Sequence, residues 1–431
     1  MTEFKKIIYW FRNDLRIHDQ PILSQLPSGT ALLPVFCFDP RWFRMTKLGF
    51  PKTDTFRASF LIESVANLKE SLIKLGSDLL ITIGKPEDVI PKLAEKFEAD
   101  IVFAQQEHTH EEENVEKKLS EKLPIPLALH EGLTLYHPDD VPFDIEKLPN
   151  IYTNFRKRIE KYAQVRECYP LPNMLPCFPA SIEVGTLPTL SDFDLEVKYT
   201  DKRSVLQFEG GENSALERLE YYIWNKQLIK NYKNTRNGLL GDEYSSKLSA
   251  WLANGSISPR MIYWELQKYE EEKIKNESTY WLYFELLWRD YFRFAAMCYG
   301  CSIFQLGGIQ GSFPEFKNSK AAFEKWKNGM TGISFVDANM MELKLTGFMS
   351  NRGRQNVASY LCKDLKVDWR WGAMWFESQL IDYDVCSNWG NWNYVAGVGN
   401  DPREDRYFNV PGQAKKYDPD GSYVSYWLEE D

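Results

Sequence analysis

An α/β domain with a parallel sheet, followed by an all-α domain, is the architecture that this sequence predicts. Two observations carry the prediction. In the first 137 residues, short runs rich in β-branched and aromatic residues alternate with stretches of helical periodicity. From about residue 206 strand-like runs vanish, and helical spacing broken by loops such as Asn254-Gly-Ser-Ile-Ser-Pro259 continues to the end. Between the two, Pro, Asp, Leu and Thr dominate and the chain reads as a connection. The expected division is therefore 1–137 α/β, 138–205 inter-domain connection and 206–431 helical.

Taken in order, strands are expected at 5–11, 31–37, 79–83 and 100–104, each a short apolar run bounded by turn residues. Helices are expected between them at about 56–75, 86–98 and 111–122, where apolar residues recur at three and four. Strand–helix alternation of this kind favours a parallel, Rossmann-like sheet. The connection holds one obvious helix, around 154–164. There is no internal repeat and no low-complexity tract.

With 431 residues, 43% apolar and 26% charged, the chain can bury two sizeable cores. No apolar run approaches the roughly 18–20 residues that span a bilayer. Lys5-Lys-Ile-Ile-Tyr-Trp10 is too short for a signal peptide and lacks its cleavage site, so a cytoplasmic protein without a membrane role is expected. Seven cysteines without paired spacing suit a reducing compartment. Cys298-Tyr-Gly-Cys301 is the one CxxC, all five histidines lie at or before His137, and Cys362 and Cys386 complete no cluster spacing; no metal is expected. A net charge of −9 argues against a generic nucleic-acid protein, yet acids and bases balance between 206 and 400. A local basic face built from Arg352, Arg354, Lys363, Lys366 and Arg370 stays open beside the plainer reading of a solvated helix face.

The most informative stretch runs from Asn351 to Asn400. It holds Asn351-Arg-Gly-Arg354, Asp368-Trp-Arg-Trp371 and Leu380-Ile-Asp-Tyr-Asp-Val-Cys-Ser-Asn-Trp-Gly-Asn-Trp-Asn-Tyr394. Composition alone allows a Trp-rich helical core or a pocket for a buried, redox-active aromatic cofactor, with Arg354, Asp382, Asp384 and Asn388 meeting its polar edge. The identity of the string decides. From Thr346-Gly-Phe-Met-Ser-Asn-Arg-Gly-Arg-Gln-Asn356 to Val398-Gly-Asn-Asp-Pro-Arg-Glu-Asp405, it resembles the photolyase/cryptochrome family of flavoproteins, in its DASH-type branch. Tyr9-Trp-Phe-Arg-Asn-Asp-Leu-Arg-Ile-His-Asp19, Tyr232-Lys-Asn-Thr-Arg-Asn237, Ser258-Pro-Arg260 and Glu285-Leu-Leu-Trp-Arg-Asp-Tyr-Phe292 match as well, in the right order along nearly the whole chain.

The resemblance implies that FAD is held by the helical domain. Tyr232, Ser245, Ser246, Lys247, Leu248 and Ser249 match the family's stretch around the cofactor's diphosphate, although unaided they read as an ordinary N-cap. Arg289, Asn351 and Arg354 match further pocket positions; Arg354 is implied to pair with Asp382 beside the flavin ring, and Asp384 to meet its polar edge. Asn388 matches the residue facing the flavin N5, where an amide can donate or accept one hydrogen bond and so tolerates more than one protonation state. Glu107 matches a position that binds methenyltetrahydrofolate, the implied antenna.

The implied activity is light-driven cleavage of cyclobutane pyrimidine dimers, with an electron lent by photoexcited reduced FAD and then returned. Glu285 and Trp288, three apart on one helical face, are the implied dimer contacts, and burial would raise the carboxyl's pKa. Six-four repair by the family's His-His pair is excluded, because those positions hold Ser350 and Asn351. DASH-type members imply a monomer that prefers single-stranded or looped DNA, since extruding a dimer from a duplex costs a few kcal/mol. The alternative is a blue-light photoreceptor that signals through a protein partner. Trp392 and Trp369 match the inner two members of the electron relay that refills the flavin, but the outermost tryptophan is replaced by Phe316. The relay is therefore expected to be interrupted at its surface end, with a detour through Trp326, Trp371, Trp375, Trp389 or a tyrosine left open.

Overall fold

A computed structural model describes residues 4–312, 314–401, 403 and 406–429. The end of the last family-like motif, at Pro402, Glu404 and Asp405, lies outside the described residues. A five-stranded parallel sheet occupies the N-terminal part, with strands β1 (Lys6–Phe11), β2 (Ala31–Phe38), β3 (Leu80–Ile83), β4 (Ile101–Gln105) and β5 (Leu127–His130) in the order β3-β2-β1-β4-β5. Helices Thr55–Lys74, Pro86–Phe97 and His110–Lys122 fall within a residue or two of expectation. β5 was not foreseen. It is a four-residue edge strand, half-buried throughout and preceded by Pro124 and Pro126, so it lacks the fully buried apolar residues that mark the other four.

The central strand β1 is buried on both faces, which explains its unbroken apolar run. Tyr9 and Phe11 face one core, with Leu68 and Leu72 of the helix Thr55–Lys74, while Ile8 and Trp10 face the other, with Ile90 and Ala94. The connection carries the helix Tyr152–Tyr162 and, beyond it, little regular structure. From Glu212 onward the chain is helical, built around Glu277–Tyr299, Ser334–Thr346, Trp369–Gln379 and Val385–Ala396. None of the described helices is long and apolar enough to cross a membrane.

Buried charge joins the sheet to the helices. The Glu212 carboxylate accepts from the backbone N–H of Ile17 and of His18, at 2.7 and 2.9 Å. Arg260 holds Asp19 in a two-pronged pair at 2.9 and 2.7 Å, and Asp290 accepts from the N–H of Leu135 and of Tyr136, both at 2.9 Å. Glu212 and Asp290 thereby satisfy backbone donors that would otherwise be buried without partners.

Candidate cofactor and substrate site

The helix Glu277–Tyr299 organises the site. A reciprocal cap starts it: the Asn276 side chain accepts from the N–H of Ser278 and Thr279, while Thr279 Oγ1 accepts from the N–H of Asn276. Glu285, Arg289 and Arg293 then recur every four residues and share one face. Glu285 is ion-paired with Arg236, which closes the short helix Tyr232–Thr235. Burial raises the Glu285 carboxyl above the usual range, and Arg236 offsets only part of the rise. Trp288 lies flat against Tyr152, with ring centres 3.6 Å apart and planes within 8°. The Tyr152 hydroxyl donates to the Phe284 carbonyl at 2.8 Å, which fixes that stack.

A second layer lies on the facing helices. Ser350 caps Asn351–Ser359 by accepting from the Gly353 N–H at 3.0 Å, with Asn351 exposed at the first turn. Arg354 donates through Nε to the Met349 carbonyl and through Nη2 to Asp382 Oδ2, both at 2.9 Å. Asp384 caps Val385–Ala396 by accepting from the Ser387 N–H at 2.7 Å, and its other oxygen accepts from Arg293. Burial favours protonation of Asp384, but Arg293 and Arg289 outweigh it and hold the carboxyl below its ordinary value. Arg293 Nη1 also lies 3.8 Å from Glu107 Oε2, so this buried guanidinium bridges two carboxylates. Burial pushes Glu107 up to about 6 against the pull of Arg12 and Arg293, and Asn13 donates to it at 2.9 Å. Arg289 donates to the carbonyls of Leu133 and Leu252. Asn388 Nδ2 donates to the Ala373 carbonyl at 3.1 Å.

Ser245, Ser246, Lys247 and Leu248 lead into the five-residue helix Ser249–Ala253. Arg218 fixes the approach by donating to the carbonyls of Ser245 and Ser246, at 3.2 and 3.0 Å. The Lys247 ammonium turns away onto the Tyr244 ring, 3.3 Å from its centre, and burial with Arg218 nearby pushes it down to about 7. Tyr232 is buried beside Tyr222. Further along, the Trp392 ring meets Phe376 at 5.1 Å and Trp326 at 6.3 Å. Trp369 meets Trp389 at 5.7 Å and donates its indole N–H to the Leu306 carbonyl at 3.1 Å. Phe316 packs half-buried on the same core.

Several buried polar atoms here lack a hydrogen-bond partner: Asp382 Oδ1, Arg293 Nε and Nη1, Lys247 Nζ and the Tyr244 hydroxyl. Each such atom costs on the order of 1–3 kcal/mol. Charged and amide groups beside indole and phenol rings fit a flat heterocycle with a polar edge, which would meet some of these atoms. Of the basic residues weighed for a nucleic-acid face, Arg370 is paired with Asp368, Arg352 donates to Gln355 and Asn237 and lies over Tyr417, Lys363 donates to the Ala396 carbonyl, and Lys366 is exposed. They make no single free stripe. Sequence reasoning missed Arg236, Arg293 and Tyr152. The four-residue spacing from Glu285 could have flagged Arg293, and Arg236 lies inside the family-like motif Tyr232–Asn237 with nothing to show its partner, whereas nothing local announces Tyr152.

Known proteins share this sequence and fold. Residues 7–176 match the family model described as DNA photolyase, and residues 281–430 match the FAD binding domain of DNA photolyase. The chain is 54% identical to a cryptochrome DASH of Gloeobacter violaceus over 99% of its length and 86% of that protein's. It is 49% identical to a cryptochrome DASH of Xenopus laevis, covering 98% of the chain and 82% of that protein. The crystal structure of a Synechocystis cryptochrome superposes with a TM-score of 0.95 at 52% identity, covering 98% of this chain and 88% of that one. A bacterial class III photolyase from Agrobacterium tumefaciens superposes at 0.85 with 28% identity, covering 99% and 86%. On fold, site and likeness together, the chain belongs to the photolyase/cryptochrome family, its high-identity relatives are DASH cryptochromes, and it carries that family's FAD-binding domain.

Proposed function

We propose that this protein is a light-driven photolyase that splits cyclobutane pyrimidine dimers, preferentially in single-stranded or looped DNA, and that residues 206–431 form its FAD-binding catalytic unit. One observation carries the reading. The helix Glu277–Tyr299 presents the half-buried Glu285 and Trp288 together with Arg289 and Arg293 of the charged pocket, so a donor in that pocket and an acceptor at its mouth would share one rigid element. Bound reduced FAD supplies the chemistry: excited by blue light, it lends the electron that opens the cyclobutane ring.

The protein's part is to hold and orient. Arg354 and Asp382 fix one edge of the flavin, Asp384 and Asn388 another, and Arg289 and the exposed Asn351 complete the pocket. Tyr232 and the Ser245–Ser249 stretch cradle the diphosphate through small hydroxyls and backbone N–H groups, with Lys247 and Leu248 contributing main chain. Glu285 exchanges Arg236 for the dimer's polar edge, and Trp288 packs on the dimer's other side. Glu107, just past the C-terminal end of β4, holds a methenyltetrahydrofolate antenna, and the protein works as a monomer.

The experiment illuminates the purified, flavin-reduced protein with dimer-containing oligonucleotides and follows loss of the dimer. Single strands should be repaired well and intact duplex poorly. Glu285→Ala should lower the yield per photon about ten- to a hundredfold while flavin absorption stays unchanged, in line with loss of one charge-assisted hydrogen bond. Equal repair of duplex and single strand would overturn the single-strand assignment. No repair of either would overturn the enzyme and favour the photoreceptor.

A further inference from the structure

We propose that the electrons which refill Trp392 after photoexcitation come through Trp326 and the half-exposed Trp371, and not through the position held by Phe316. The inference rests on the FAD reading above and identifies two further electron carriers for it.

Phe316 closes the other route because a phenyl ring gives up an electron far less readily than an indole. Trp392 has another indole beside it. Trp326 stands edge-on to it at 6.3 Å and is fully buried, and its N–H donates to the Val357 carbonyl at 2.9 Å. A carbonyl dipole aimed at that N–H stabilises a positive charge on the ring. From Trp326 the path reaches the surface across one phenyl ring. Phe323 stacks on Trp326 at 5.9 Å and meets the edge of Trp371 at 5.5 Å, and Trp371 is half-exposed. Phe323 need not be oxidised; it fills the gap between two indoles with bonded atoms, through which electron exchange decays more slowly than through space.

The competing exits are disfavoured by charge. Trp375 is buried and has the Lys327 ammonium 5.3 Å above its ring, which opposes a positive hole there. The branch from Trp369 runs to Trp389, whose N–H donates to the Tyr383 hydroxyl at 3.3 Å, and Tyr383 carries the Arg57 guanidinium 4.3 Å above its ring. The electron balance is simple. Trp392 gives one electron to the light-excited oxidised flavin, Trp326 refills Trp392, Trp371 refills Trp326, and an external thiol refills Trp371 and is oxidised. No covalent bond in the protein changes.

The test uses the flavin-loaded, oxidised protein under blue light with excess dithiothreitol, and follows flavin reduction in native protein and in Trp371→Phe, Trp326→Phe and Phe316→Trp. Trp371→Phe should slow reduction at least tenfold, and Trp326→Phe should do the same. Adding Phe316→Trp to Trp371→Phe should restore much of the rate by reopening the other exit. Pulsed electron paramagnetic resonance gives an independent readout: the light-induced radical pair should have a shorter separation in Trp371→Phe than in native protein. Trp326 is deep in the core, so misfolding of its variant decides nothing, and the partly exposed Trp371 keeps the question decidable. An unchanged rate and unchanged radical separation in Trp371→Phe would overturn the proposal. Failure of the repair reading is separate: native protein reduced with dithionite that splits no dimer overturns repair and leaves this route standing.

Discussion

Glu342 is a carboxyl with no good place for a charge. It is fully buried in the helix Ser334–Thr346, one oxygen accepts from the Tyr423 hydroxyl at 2.7 Å, and the other has no partner. Burial pushes it up to about 8, although Tyr423, Lys247, Arg354 and the Ser350 backbone all favour its charged form. Because its folded value lies above the unfolded one, its stabilising contribution is complete below about pH 4.5 and is lost as the pH rises through about 8. Glu342→Gln should therefore melt at the native temperature near pH 5 and above it at pH 9, with a gain on the order of 1–3 kcal/mol. Equal melting at both pH values would show that the charged form is as well accommodated as the neutral one. At this scale the sequence revealed pairs carried by a recognisable motif, such as Arg354 with Asp382. It hid Arg236 with Glu285, because forty-nine residues separate them and only the packed helices bring them together.

Among elements, the crossing of Glu277–Tyr299 over Val385–Ala396 is set by Gly390. A Cβ there would lie 2.3 Å from the Phe292 ring, so the ring from one helix packs directly on the bare backbone of the other. Gly390→Ala should push them apart at a cost of about 1–3 kcal/mol, typical of overpacking. It should also loosen the ion pair between Arg293 and Asp384, which the same two helices supply. The checks are a lower melting temperature and faster loss of bound flavin on dilution; a variant that melts like native protein would mean that Phe292 can swing clear. Apolar runs and periodicity exposed the first four strands and the helices between them because each has residues buried in a core. They were silent on β5, whose half-buried edge position leaves no pattern to read. They were silent also on Tyr152, placed against Trp288 by a helix whose sequence signals only its own amphipathicity.

Seen whole, the sheet and the helical part are fitted together through backbone. Gly255 has a left-handed φ of +71°, and a Cβ there would lie 1.9 Å from the Asn13 carbonyl oxygen. The Leu15 N–H donates to the Asn254 carbonyl at 3.2 Å alongside. Gly255→Ala should cost roughly 1–2 kcal/mol from backbone conformation alone, and more because Asn13 must retreat. Undocking should appear as faster proteolysis between residues 163 and 189, where regular structure is sparse; unchanged cleavage would show that the junction tolerates the shift. The division into two architectures was plain from where strand-like runs stop, but nothing in the sequence told which loops would touch. The carboxylate of Asp290 has one more consequence, in time. Leu135 and Tyr136 wait for it across 155 and 154 residues. At ribosomal speeds of about 5–20 residues per second that is a delay of roughly 8–30 s. Throughout that interval the nascent N-terminal part carries two backbone donors without their native acceptor, so its junction is completed only after residue 290 has been made.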